Sequence, residues 1–208
     1  MYKTDKTGRG CRKMDMQQQK LHELIKKEDE KLDKVQDLVD WKALGVNISL
    51  KALLRMNLLH FAMYIAASDE QITYSETEVI SALCRKIYIP EEIIDEIKEK
   101  NIYSTEFEQK VPFIVDLMVQ TDNQLDAQKA NDPIPLSEEI LTIFKEVANA
   151  VAKADGEVTK QEKEDMDIYI GMLENYLDSN LERRITEGKS FDEEDNDSIF
   201  TEDHEDET

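Results

Sequence analysis

Residues 152–165 read AKADGEVTKQEKED, and residues 66–79 read AASDEQITYSETEV. The pairs Asp69 and Asp155, Thr73 and Thr159, and Glu76 and Glu162 are each 86 positions apart. Ala62 and Ala148, Ala66 and Ala152, and Glu78 and Glu164 keep the same offset, and Ile65/Val151 and Ile72/Val158 are conservative matches at it. Each stretch follows an apolar run and leads into another helical pattern. A register held from residue 62 to residue 78 argues for two copies of one helix–corner–helix unit. The expected fold is all-α: a single helical domain of two pseudo-symmetric halves, each covering the other's apolar stripe. An amphipathic helix precedes it and a disordered acidic tail follows.

The corner residues carry two readings. As structure, Thr73 with Glu76 and Thr159 with Glu162 fit the capping box, a hydroxyl at the N-cap and a carboxylate three residues on. Gly156 suits a left-handed turn after the preceding helix. As chemistry, Asp155, Glu157 and Glu162 bring three carboxylates to one turn, and hard cations such as Ca²⁺ and Mg²⁺ take oxygen ligands. The stretch is not an EF-hand, because Thr159 and Met166 stand where ligands 5 and 12 would be. One corner alone would bind weakly. Asp69, Glu70 and Glu76 would complete a site if the pseudo-symmetry brings the first corner to the second.

Outward from the corners, residues 50–66 (LKALLRMNLLHFAMYIA) are apolar nearly all round, which places that helix centrally, and residues 137–154 repeat the character. Leu21, Leu24, Ile25, Leu32, Val35, Leu38 and Val39 form the seam of an N-terminal amphipathic helix, interrupted by Glu28. That helix docks on this chain's own core or on a partner. Between the corners the spacing predicts a helix over 75–88 and a short one beginning at Pro90. A further helix, capped by Thr105 and Glu108, should be kinked at Pro112. Residues 120–135, polar with two prolines, read as the longest internal loop. A long helix is expected over 160–181. The resulting divisions are a disordered basic leader at 1–14, the amphipathic helix at 15–45, the helical domain at 46–184 and the disordered acidic tail at 185–208.

Among 208 residues there are six glycines and four prolines, which favours helix over turn-rich β structure. The net charge of −21 repels phosphate backbones and anionic bilayers. No nucleic-acid partner and no membrane insertion are expected, since no run approaches the ~20 apolar residues of a span. Cys11 and Cys84 suggest no disulfide framework and the leader has no apolar signal core, so the expected compartment is the cytoplasm. Residues 190–208 hold ten acidic side chains and no Lys or Arg. Such a run is a solvated terminus, a docking peptide anchored by Ile199 and Phe200, or a segment that folds back on the basic leader.

The stretch VAKADGEVTKQEKEDM (151–166), preceded by a helix of small apolar residues, resembles the TerB-like domain of tellurite-resistance proteins, which also occurs in membrane-anchored J-domain co-chaperones. The resemblance covers roughly residues 50–181. It implies an all-helical fold of two similar halves, acidic residues that bind divalent metal, and a role beside other gene products in stress or phage defence. Onto this chain it carries Asp155, Glu157 and Glu162, and through the repeat Asp69 and Glu76. The first copy departs from the pattern, with Glu70 in place of the glycine and Gln71 in place of the glutamate.

Catalytic patterns are not found. The glycines cannot build a phosphate-binding loop, and His22, His60 and His204 do not pair with cysteine at zinc spacing. A Cys84–His60 nucleophile pair has no more support than two buried side chains. The expected function is a non-enzymatic TerB-like protein that binds a divalent cation weakly, Ca²⁺ or Mg²⁺ before Zn²⁺. It would act as an adaptor for a protein partner in a stress- or defence-type system. The alternative is a metal-independent interaction scaffold that uses its N-terminal helix or acidic tail.

Overall fold

The computed structural model describes residues 16–36, 41, 46–84, 86–127 and 135–181, and they are all-helical. In chain order the helices are α1 (Met16–Gln36), α2 (Leu50–Ala66), α3 (Tyr74–Cys84), α4 (Pro90–Lys100), the single turn α5 (Thr105–Glu108), α6 (Phe113–Ala127), α7 (Leu136–Ala152) and α8 (Lys160–Asn180). The leader at 1–14, most of 37–45 and the acidic tail at 185–208 lie outside the described residues, and with them Cys11, Leu38, Val39, Ile199, Phe200 and His204.

α2, which has no polar face, and α7, which has a broad apolar stripe, are the two central helices. α2 and α7 pack against each other, α1, α6 and α8 also pack on α7, and α3 packs on α2. Phe61 of α2 meets Phe144 of α7 at 5.1 Å between ring centroids and Tyr169 of α8 at 4.8 Å, so an aromatic cluster ties the centre together. Ser49 starts α2, its hydroxyl accepting from the Ala52 N–H.

α1 lies on the chain's own core, against α7 and α2. Leu21, Ile25, Leu32 and Val35 are buried there, and ion pairs flank the seam: Lys20–Glu146, Lys31–Glu139 and Arg55–Asp29. Glu28 occupies the same stripe. It is only 3% exposed, and its Oε1 has no hydrogen-bond partner.

Three expected boundaries shift. The helix expected over 75–88 is α3 (Tyr74–Cys84), and Tyr88 is held beyond its end by its N–H to the Ser81 hydroxyl. Ser104, not Thr105, caps α5 by accepting from the Phe107 N–H, and α5 ends after one turn. Pro112 therefore does not kink a continuous helix. It stands just before α6, where its missing N–H is harmless and its carbonyl takes the N–H groups of Val115 and Asp116. The expected loop at 120–135 is helical as far as Ala127. Asp122 sits inside that helix, buried, and accepts from the N–H groups of Leu136 and Ser137 and from the Ser137 hydroxyl. A polar residue that would signal a loop instead caps the next helix across space.

Candidate functional site

The two corners repeat bond for bond. Glu76 Oε2 accepts from the Thr73 N–H at 2.6 Å, and Thr73 Oγ1 accepts from the Glu76 N–H at 3.2 Å. In the second corner Glu162 Oε2 accepts from the Thr159 N–H at 2.7 Å, and Thr159 Oγ1 accepts from the Glu162 N–H at 3.2 Å. Both are reciprocal capping boxes. Asp69 Oδ1 accepts from the Gln71 N–H and Asp155 Oδ1 from the Glu157 N–H, two Asx turns at the same register. Where Gly156 has φ +96°, Glu70 has φ +64°. The first copy keeps the left-handed turn although a side chain stands there.

The corners come together in space. Glu76 and Glu162 are each 4% exposed, on the inward stripes of α3 and α8. Burial pushes the Glu76 carboxyl up to about 7, against its capping bonds, and the negative charges of Glu162 and Asp69 push it the same way. Burial also raises Glu162, and here Asp69 of the first corner and Asp155 of its own add to the shift. Asp69, Glu76, Asp155 and Glu162 thus form one electrostatic group drawn from both copies. Glu157 is exposed and contributes its N–H to the Asx turn.

The donor set suits a hard cation in kind: all oxygen and anionic. The corner bonds use one oxygen of each carboxyl and leave Glu76 Oε1, Glu162 Oε1, Asp69 Oδ2 and Asp155 Oδ2 outside them. In geometry the set falls short. Among the described residues no group of three or more His, Cys, Asp or Glu side chains is placed to hold a metal ion.

A second acidic layer adjoins the corners and was not picked out from the sequence. Asp165 is 4% exposed and accepts from the Tyr103 hydroxyl at 3.1 Å and from Gln161 Nε2 at 2.8 Å. Tyr64 donates to Glu108 Oε1 at 3.3 Å, and its ring lies 5.6 Å from Tyr103 and 5.5 Å from Tyr169. Burial, followed by the charge of Asp165, raises the Tyr103 phenol to about 12 and raises Tyr64 further. The signal was available: Glu162, Asp165, Tyr169, Leu173 and Leu177 share one helical stripe, so both acids stand at core positions.

The two candidate nucleophile residues have separate settings. The Cys84 thiol bonds back to the Ile80 carbonyl within α3. His60 lines a groove with Met56, Lys100 and Phe113, where burial lowers its proton affinity. No helix among the described residues is long and apolar enough to cross a membrane. No protein-family model matches the chain, and neither a curated protein nor a solved structure matches it.

Proposed function

We propose that this chain is a TerB-like, non-enzymatic protein. In this reading its two pseudo-symmetric halves pool their acidic corners to take up a divalent cation weakly, and it serves as an adaptor in a stress- or defence-type system. The supporting observation is that Glu76 and Glu162 are buried, while Asp69 of the first corner acts on the capping glutamate of the second. A bound cation would relieve that repulsion, with ligands drawn from Asp69, Glu76, Asp155, Glu157 and Glu162. Ca²⁺ fits before Mg²⁺ because its coordination sphere is flexible and adapts to carboxylates that are not pre-set. Stress or defence enters through the family resemblance alone.

A second reading is favoured by one observation. Each corner's cap is complete through its own hydrogen bonds, as a purely structural device would be. The chain would then be a metal-independent scaffold that recruits its partner through the N-terminal helix or the acidic tail.

Thermal melts with and without millimolar Ca²⁺ or Mg²⁺, at constant ionic strength, separate the two readings. They compare wild type with the double variant Glu76→Gln/Glu162→Gln and with Asp155→Asn. Glutamine keeps an acceptor for each cap and removes the charge. At a free cation concentration about tenfold above Kd, binding should add ~1.4 kcal/mol to wild-type stability and less to the variants. Equal shifts in all three proteins would mean diffuse screening of a highly acidic chain, and the cation site would be withdrawn.

A further inference from the structure

On the solvent side of the α7–α8 seam runs a groove of about 390 Å³. One face of each helix lines it: Lys145, Ala148 and Ala152 from α7, and Lys163, Met166 and Ile170 from α8, with Lys153 and Val158 closing the end at the second corner. The floor is apolar. Ala148 and Ala152 are buried, and their small side chains leave the depth, while Val158 is 45% exposed at the rim. The charges at the groove are three lysines against Asp167. Lys145 is paired with Glu174 at 2.6 Å, and Lys153 and Lys163 are exposed. On a chain of net charge −21, lysines rim this apolar groove, as Lys100 and Lys110 do the groove beside His60.

We infer that this groove is the docking site of the chain's own C-terminal acidic segment, with Ile199 and Phe200 seated on the alanine floor and the flanking carboxylates against Lys153 and Lys163. The segment SFDEEDNDSIFTED (190–203) places one apolar pair inside a run of acids, the pattern such a groove complements. The geometry of the connection suits it. α8 ends at Asn180, and the helix rise of ~1.5 Å per residue puts Ile170 about 15 Å and Lys163 about 26 Å from that end. From Glu182 to Ile199 the chain has 18 residues. Fully extended they reach ~60 Å, more than the distance to be bridged. A tether that can span the distance raises the effective concentration of the segment at the groove. A second copy of the chain fits less well, because it brings its own −21 charge with it.

The test uses the full chain labelled with ¹³C at its methionine methyl groups. Met166 lines the α7–α8 groove. Met56 lines the separate groove beside His60, Lys100 and Phe113, and serves as the control. Ile199→Ala/Phe200→Ala should move the Met166 resonance and leave Met56 in place. Lys153→Glu/Lys163→Glu should move Met166 in the same direction. Salt at about 1 M, where the screening length is ~3 Å, should move the wild-type signal part of the way. The effect should not change on dilution. A Met166 signal indifferent to the tail substitutions overturns the proposal, since the groove is then open to some other ligand. So does a response at Met56 instead, which would seat the tail elsewhere. A Met166 signal that shifts on dilution also overturns it, because the groove would then join separate copies. The tail substitutions lie beyond α8, so an unchanged melting curve separates undocking from unfolding.

Discussion

Replacing Glu28 with glutamine should stabilise the protein in a pH-dependent way. Glu28 lies under α1, facing Glu139 of α7, with Lys27 and Lys31 of its own helix alongside. Burial first, and then the charge of Glu139, raise its carboxyl from 4.5 to about 7. A protonated Glu28 donates to Glu139, whereas an ionised one leaves a buried carboxylate facing a second, half-buried one. In the unfolded chain the group titrates near its ordinary value. Below that value both states hold the proton, and the contribution to stability is full. As pH rises through the interval between 4.5 and about 7, the unfolded chain releases its proton first, and stability falls until the folded group has also ionised. At ~1.4 kcal/mol per pH unit the loss amounts to about 3 kcal/mol.

Glutamine is neutral at every pH, has the same shape, and its amide can donate to Glu139 as the protonated acid does. The variant should match wild type at about pH 4 and exceed it by ~3 kcal/mol at about pH 8. For a chain of this size that corresponds to roughly 6–12 °C in melting temperature. The assay is urea unfolding of both proteins across that range. The quantity read is the difference between them, because Glu76 is raised to about 7 as well and bends both curves alike. A difference that does not vary with pH, or a variant less stable at high pH, would refute the burial of the Glu28 carboxyl between α1 and α7.

Three further outcomes follow from the corners. Thr159→Ala removes the acceptor of the Glu162 N–H and should cost ~1 kcal/mol in urea or thermal melts, whichever functional reading holds. Glu70→Gly should stabilise by somewhat less than ~1 kcal/mol, since Glu70 already stands at φ +64° and glycine relieves that conformation at some cost in unfolded-chain entropy. The reciprocal Gly156→Ala should destabilise by ~1 kcal/mol for a purely conformational reason, because an added Cβ would meet nothing within 4 Å; an unchanged midpoint for either substitution would remove the turn argument.

How much of this was legible depended on whether a signal was local. α2 was readable because an all-apolar helix has only one place to go, α7 because of its broad apolar stripe, and the capping boxes because their partners lie three residues apart. The helical stretch from 120 to 127 was not. Thr121, Asp122 and Asn123 look like loop residues along the chain, but Thr121 bonds the Leu117 carbonyl within the helix and Asp122 caps α7 from fourteen residues away. That compensation is tertiary and leaves no trace in a window. Glu28 was visible as an interruption of a seam, but its partner Glu139 is on another helix, so its cost was not. The electrostatic coupling of the corners was foreseen only as a condition on symmetry. Asp165 carries no turn signal, because it stands beyond the corner on the buried stripe that Glu162 begins.

The corners pose a narrower question than whether they cap or bind, because capping does not account for their charge. A glutamine at position 76 or 162 could accept the same N–H and would escape both the burial of a charge and the repulsion from its neighbours. Glutamate at both positions is therefore the less stable choice once ionised, and Glu76 bears that cost at and above neutral pH. A structural role predicts that the double glutamine variant is simply more stable, with no other change. A cation role predicts that the same gain comes with loss of the cation response, and that added Ca²⁺ restores to wild type about what glutamine gives for free. The two effects are measured in one set of melts. The ratio between them, not the presence of either, tells whether the negative charge at the paired corners has a use.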